Sequence, residues 1–230
     1  MAITGNTFDE GGGRDANEGA QSMSAAVRVA VVEDDERLRR ALVFQLGTAG
    51  FQVTAFGSGE EFLETPDERT FDCIVVDNLL PRMNGLQLQA ALERTVPFAS
   101  IVFISGHGDL SIGMEAMRRG AVDFLEKPID EAALLKAIER GAELTRRRRV
   151  EHARRIELEK RRNSLTPRER EVFVLITTGL LNKQVGAEMG TTERTVKAHR
   201  ERVMSKMGAE SLAELVRMAG SLNMHSTDRR

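Results

Sequence analysis

Phe71-Asp72-Cys73-Ile74-Val75-Val76-Asp77-Asn78-Leu79-Leu80-Pro81 is the stretch whose reading decides the fold. Cys73 to Val76 form a short apolar run without alternation, the pattern of a strand buried on both faces of a parallel sheet. The run ends in a carboxylate, and Pro81 stops any further ladder. In open α/β sheets ligands sit outside the carboxyl ends of the strands. Asp77 therefore stands where chemistry is expected. A lone acid at a strand end is most often a solvated turn residue, so its company decides its meaning.

That company is specific. Val29-Ala30-Val31-Val32 is a second buried-strand pattern, with Glu33, Asp34 and Asp35 at its tip. Ile101-Val102-Phe103-Ile104 ends in the hydroxyl of Ser105, and Ala121 to Glu126 leads to Lys127-Pro128. Two or three carboxylates suit Mg²⁺, which prefers oxygen ligands and keeps several waters. Such a metal and Lys127 can neutralise an incoming phosphoryl group while Asp77 acts as the nucleophile, giving an aspartyl phosphate.

From Val27 the pattern alternates strand and helix five times. Strands are expected near 28–33, 51–55, 71–77, 100–105 and 122–126, and helices near 36–49, 58–65, 84–94, 109–119 and from Asp130 onward. Alternation of this kind argues a doubly wound parallel sheet with right-handed crossovers. A flavodoxin-like order 2-1-3-4-5 would set the first and third strand tips side by side, where the carboxylates are. His107, in the Gly106-His107-Gly108 turn, has no His or Cys partner at metal spacing and reads as a loop residue.

The set Asp34/Asp35, Asp77, Ser105, Phe124 and Lys127-Pro128 resembles the receiver domain of bacterial two-component response regulators, over roughly residues 27–140. The resemblance implies that Asp77 is the phosphoacceptor and that Asp34, Asp35, Asp77 and the Leu79 backbone carbonyl hold Mg²⁺. It also implies that Ser105 and Lys127 contact the phosphoryl oxygens, and that Phe124 swings inward on activation. Leu80 stands where the family often has Met, a conservative departure.

The 230 residues carry a net charge of −2, and its distribution is lopsided. Residues 27–139 hold 11 basic and 19 acidic side chains, whereas 140–230 hold 21 basic and 12 acidic. An acidic front and a basic back suggest a regulatory or metal-binding domain joined to a nucleic-acid-binding one. Residues 1–26 include Gly11-Gly12-Gly13 and few large apolar groups, and are expected to form a disordered leader. One cysteine, Cys73, excludes a disulfide framework and fits a reducing cytoplasm as a small buried strand residue. No apolar run approaches the roughly 18 residues of a membrane span, and the N-terminus lacks a signal-peptide layout. A soluble intracellular protein is expected.

Residues 141–163, with Arg146-Arg147-Arg148-Arg149 and further mixed charge, read as a charged helical linker. A second domain, 164–224, begins sharply: Thr166 as N-cap, Pro167 at the first helical position and Glu169 form a capping box. Gly179, Gly190 and Gly208 end successive helices, and Ser211 with Glu214 suggests another box before a fourth helix. Four short helices with a tight Gly190 turn match a helix-turn-helix layout, followed by a tail at 225–230. On the third helix Val196, Val203 and Met207 share one side, while Arg194, Ala198, Glu201 and Ser205, flanked by Lys197 and Arg202, share the other.

This segment resembles the LuxR-type DNA-binding domain of FixJ/NarL response regulators through Leu165 to Glu169, Gly179 to Lys183, Arg194 to Arg200, and Lys206-Met207. The resemblance implies contacts to base or phosphate by Lys197 and Ala198, to phosphate by Lys183, Thr195 and Arg200, and dimerisation through the last helix. Glu201 replaces a basic residue of some members.

The expectation is an α/β receiver followed by a small all-α domain, a cytoplasmic transcription factor controlled by phosphorylation from a sensor histidine kinase. Its partners would be promoter duplex DNA, a second copy and RNA polymerase, with no membrane and no turnover of an outside substrate. The alternatives are an aspartate-nucleophile phosphohydrolase, disfavoured because Leu79 replaces the usual second Asp, and a receiver serving as a protein-interaction module or phosphate sink.

Overall fold

The computed structural model describes residues 26–64, 71–96, 98–106 and 110–222. His107, the tail and all but the last residue of the expected leader lie outside these residues.

Five strands, β1 (Arg28–Val32), β2 (Gln52–Phe56), β3 (Cys73–Asp77), β4 (Ser100–Ser105) and β5 (Asp123–Glu126), pair in parallel in the order β2-β1-β3-β4-β5. Between them run α1 (Glu36–Thr48), α2 (Gly59–Leu63), α3 (Gly85–Thr95) and α4 (Leu110–Arg118), and α5 (Glu131–Asn163) follows β5. The two-residue period of the strands splits the core between two faces. Ala30, Val32, Ile74, Val76 and Phe103 pack with Phe62, Leu88 and Leu92. Val29, Val31, Cys73, Val75, Val102 and Ile104 instead meet Leu42 and Leu46 of α1 and Leu134, Ala137 and Ile138 of α5. Cys73 is fully buried, and burial pushes its thiol up to about 12.

The register sets the chemistry. Val32 lies opposite Val76, and Asp77 opposite Ile104, so the tips of β1, β3 and β4 end together. The backbone N–H of Lys127 donates to the Ser105 carbonyl (2.8 Å), which brings the end of β5 into the same row.

The stretch expected as a charged linker is the continuation of α5. Gly141, Ala142 and Thr145 are buried. Thr145 Oγ1 accepts from the Ser100 backbone N–H and donates to Ser100 Oγ, both at 3.0 Å. Small and hydroxyl-bearing residues four apart let the helix lie close on the strand ends, so receiver packing runs past residue 140. From Leu158 the helix joins the second core.

That core belongs to α6 (Pro167–Thr177), α7 (Asn182–Met189), α8 (Glu193–Met207) and α9 (Leu212–Ser221). The Thr166–Glu169 box is complete, at 3.3 and 2.8 Å. The second expected box is only half made: Ser211 Oγ accepts from the Glu214 N–H, but the Glu214 carboxylate reaches back one residue further, to the Glu210 N–H. Gly190 closes α7 in the left-handed region at φ 64°, where a side chain would be strained.

Candidate functional site

At the carboxyl ends of the strands, carboxylate oxygens of Glu33, Asp34 and Asp77 all lie within 4.8 Å of one another. Glu33 is 1% and Asp77 4% exposed, while Asp34 faces solvent. Lys127 Nζ stands between the two buried acids, 2.7 Å from Asp77 Oδ2 and 3.0 Å from Glu33 Oε2. Burial pushes the Glu33 carboxyl up to about 7; hydrogen bonding from Lys127 opposes this, and the charge of Asp77 adds to it. For Lys127, burial works against the charged form, but hydrogen bonds to Asp77 and Glu33 prevail and hold its pKa above the usual ammonium value.

The expected acidic trio needs one correction of membership. Asp35 does not turn into the cluster. Its Oδ1 accepts from the backbone N–H of Arg37 (2.8 Å) and Leu38 (3.2 Å), capping α1. Those bonds hold its pKa below the ordinary aspartate value. Glu33 takes the third place, the side chain directly after the last strand residue. The clue was in the sequence: an Asp immediately before the first residue of an amphipathic helix is an N-cap.

Asp34 and Asp77 are brought together as expected, and Leu79 lies beside them, its N–H donating to Asp77 Oδ1 at 3.0 Å. The Leu79 side chain is exposed. Three carboxylates against one ammonium leave negative charge in excess, and an all-oxygen donor set suits a hard divalent cation. The residues present therefore fit a metal site.

Ser105 is buried at the end of β4. Phe124 is half-buried, its ring centroid 6.3 Å from that of Phe103. A Cβ on Gly113 of α4 would come within 3.0 Å of the Phe124 ring. Gly85, at the start of α3, is more tightly placed: a Cβ there would sit 2.7 Å from Phe103 and 3.0 Å from the Asp77 carbonyl. Sequence reasoning passed over both glycines, because close approach between distant segments leaves no local signal.

In the second domain Val196, Val203 and Met207 are fully buried, and Arg194, Thr195, Lys197, Ala198 and Glu201 are exposed. The expected division of α8 into core and outer faces is therefore present. Lys183 is exposed on α7. Arg200 is half-buried, and its Nη1 donates to Asn182 Oδ1 at 3.1 Å, tying α8 to α7. An exposed, mainly basic face on the second helix of such a pair fits a major groove.

Comparison with known proteins agrees with both halves. Residues 29–139 match the response regulator receiver domain family, and 163–219 match the family of bacterial regulatory proteins, luxR family. The chain is 42% identical to Nodulation protein W of Bradyrhizobium diazoefficiens, over 90% of this chain and 91% of that protein. It is 38% identical to the transcriptional regulatory protein FixJ of Azorhizobium caulinodans, over 86% and 93%. Among solved structures it resembles the response regulator StyR, with TM-score 0.74 and 41% identity, over 85% of this chain and 99% of that one. Full-length FixJ from B. japonicum gives TM-score 0.53 and 36% identity, over 86% and 98%. The chain belongs to the two-component response regulators, a FixJ-like transcriptional regulator in which a receiver domain is joined to a LuxR-type DNA-binding domain.

Proposed function

We propose that Asp77 is the phosphoacceptor and that phosphorylation by a sensor histidine kinase in the cytoplasm controls promoter binding and pairing of the DNA-binding domain. The observation that carries this is the meeting of Asp77 with Lys127 at 2.7 Å beside two further carboxylates. Asp77 Oδ1 is held by the Leu79 N–H and Oδ2 by Lys127, so the carboxylate is oriented before any donor arrives. On phosphoryl transfer, Lys127 would shift its ammonium from the Asp77 carboxylate to a phosphoryl oxygen, and the Ser105 hydroxyl would donate to another. Asp34 and Asp77, with Glu33 beside them and the Leu79 carbonyl, would hold Mg²⁺. When bound, that ion supplies positive charge to the transferring group.

Phe124 moving inward toward the Ser105 side would change the surface of α4 and β5. Lys183, Thr195 and Arg200 are assigned to phosphates, and Arg194, Lys197, Ala198 and Glu201 to the groove. A homodimer on duplex DNA, with RNA polymerase as a further partner, completes the reading. No helix of the described residues is long and apolar enough to cross a membrane.

The test is Asp77→Asn, which keeps the shape and removes the nucleophile. Label from a small phosphodonor should be retained by the parent and not by the variant. Hydroxylamine-sensitive label taken up by the variant at the parent's rate would overturn the assignment.

A further inference from the structure

α5 is held at both ends and bare in between. At the receiver end Gly141, Thr145 and Arg149, four residues apart, lie on one face of the helix. A Cβ on Gly141 would touch Cys73 Sγ at 3.0 Å, and Thr145 binds Ser100. Arg149 then closes the row: Nη1 donates to Asp72 Oδ1 and Nη2 to the Phe71 carbonyl, both at 2.7 Å. The other Asp72 oxygen accepts from the Arg28 backbone N–H at 3.0 Å, so the acceptor is itself fixed at the start of the sheet. One turn further, the His152 ring packs tilted at 43° against Phe98, with centroids 4.6 Å apart.

From Val150 to Glu157 every residue is exposed, Val150 and Ile156 included. Packing resumes at Leu158, and Arg161 Nη1 donates to the Met207 carbonyl at 3.0 Å. Apart from the His152 ring on Phe98, these eight helical residues make no tertiary hydrogen bond, ion pair or ring contact among the described residues. So short a segment cannot hold its helix alone, since isolated helices shorter than about 12–15 residues are marginal in water. The Arg161–Glu157 and Arg155–Glu159 pairs are exposed i,i+4 contacts that add little to the helix. The bare span is therefore helical because both of its ends are clamped.

We propose that Arg149, seconded by His152, is a latch that fixes the interdomain helix to the receiver, and that its opening converts the span 150–157 from a rod into a tether. The acceptor is well placed for such a device. Asp72 directly precedes β3, whose far end is Asp77, and the latch is built on half-exposed polar groups rather than on the core. Opening it leaves Gly141 and Thr145 seated, so the receiver stays folded while the two domains lose their common frame.

The test uses the full-length, unphosphorylated protein, so that it does not depend on the phosphoacceptor reading. Hydrogen–deuterium exchange across 150–157 and small-angle X-ray scattering are compared in the parent, Arg149→Gln, His152→Ala and Arg148→Gln. Arg148 is the control, because it makes no ion pair among the described residues. Loss of the Arg149 bonds to Asp72 and Phe71 should speed exchange of the 151–157 amides about five-fold or more. The largest molecular dimension should also increase, with residues 134–145 as protected as before. His152→Ala should move the same amides by a smaller factor. Unchanged exchange in Arg149→Gln, an equal effect in Arg148→Gln, or loss of protection running back through Thr145 would each overturn the latch.

Discussion

Replacing Glu169 by Ala should destabilise the DNA-binding domain by about 2 kcal/mol and remove part of its sensitivity to acid. Glu169 is 3% exposed, and its Oε2 accepts from Lys206 Nζ at 2.6 Å and from the Thr166 N–H at 2.8 Å. Loss of a capping interaction costs about 1 kcal/mol. The Lys206 bond adds about 1 kcal/mol, below the usual range of about 1.5–3 kcal/mol for a charged hydrogen bond, because Lys206 is 36% exposed and screened. The hydrogen bond from Lys206, with that from Thr166, lowers the Glu169 carboxyl to about 2, from an ordinary 4.5. A depressed carboxyl contributes stability above its unfolded pKa and loses it as pH falls through the folded one. In the parent this contribution should be complete above pH 4.5 and fade towards pH 2; in the variant that limb should be flat. The chain has neither Trp nor Tyr, so the measurement is native-state hydrogen exchange of α6 and α8 amides, with β3 amides as an internal control. Parallel acid loss in parent and variant between pH 4.5 and 2 would refute the coupling between Glu169 and Lys206.

Gly85→Ala should lower receiver stability by about 1–3 kcal/mol, because its Cβ would stand 2.7 Å from Phe103 against the Asp77 carbonyl; a calorimetric midpoint unchanged from the parent's would refute the close approach. Lys183→Gln should weaken binding to all duplexes alike and reduce the salt slope by about one unit. Arg200→Gln should do the same and also loosen α7 from α8, since it loses the Asn182 bond, so its exchange protection separates it from Lys183→Gln. Glu201→Ala should relax base preference at one position per half-site by about 1–3 kcal/mol with non-specific affinity held or raised. An unchanged consensus in a randomised-site selection would return Glu201 to the solvated surface.

The sheet was legible because its strands are continuous apolar runs ended by polar tips, and five of these alternate with helices. The caps at Thr166 and Ser211 followed from residue type at fixed spacing. The carboxylate trio was read one place too far along. Three acids in a row look alike until the helix beginning at Glu36 claims Asp35 for its own N–H groups. The packing of α5 on the receiver past residue 140 was hidden for another reason. Its partners are Ser100 and Asp72, 45 and 77 residues away, and nothing local distinguishes Arg149 from the three arginines before it.

The unbroken course of α5 also makes its length an angular quantity. Each residue of an α-helix advances the chain 1.5 Å and turns it by about 100°, so the eight bare residues span about 12 Å and a little over two turns. Adding or removing one residue there would leave both cores intact while swinging the basic face of α8 by about 100° around the helix axis. Adding seven would bring it back to within about 20° of its starting direction, merely displaced by about 10 Å. The number of residues between the two clamps thus works as a phase setting for the direction in which the DNA-binding face looks.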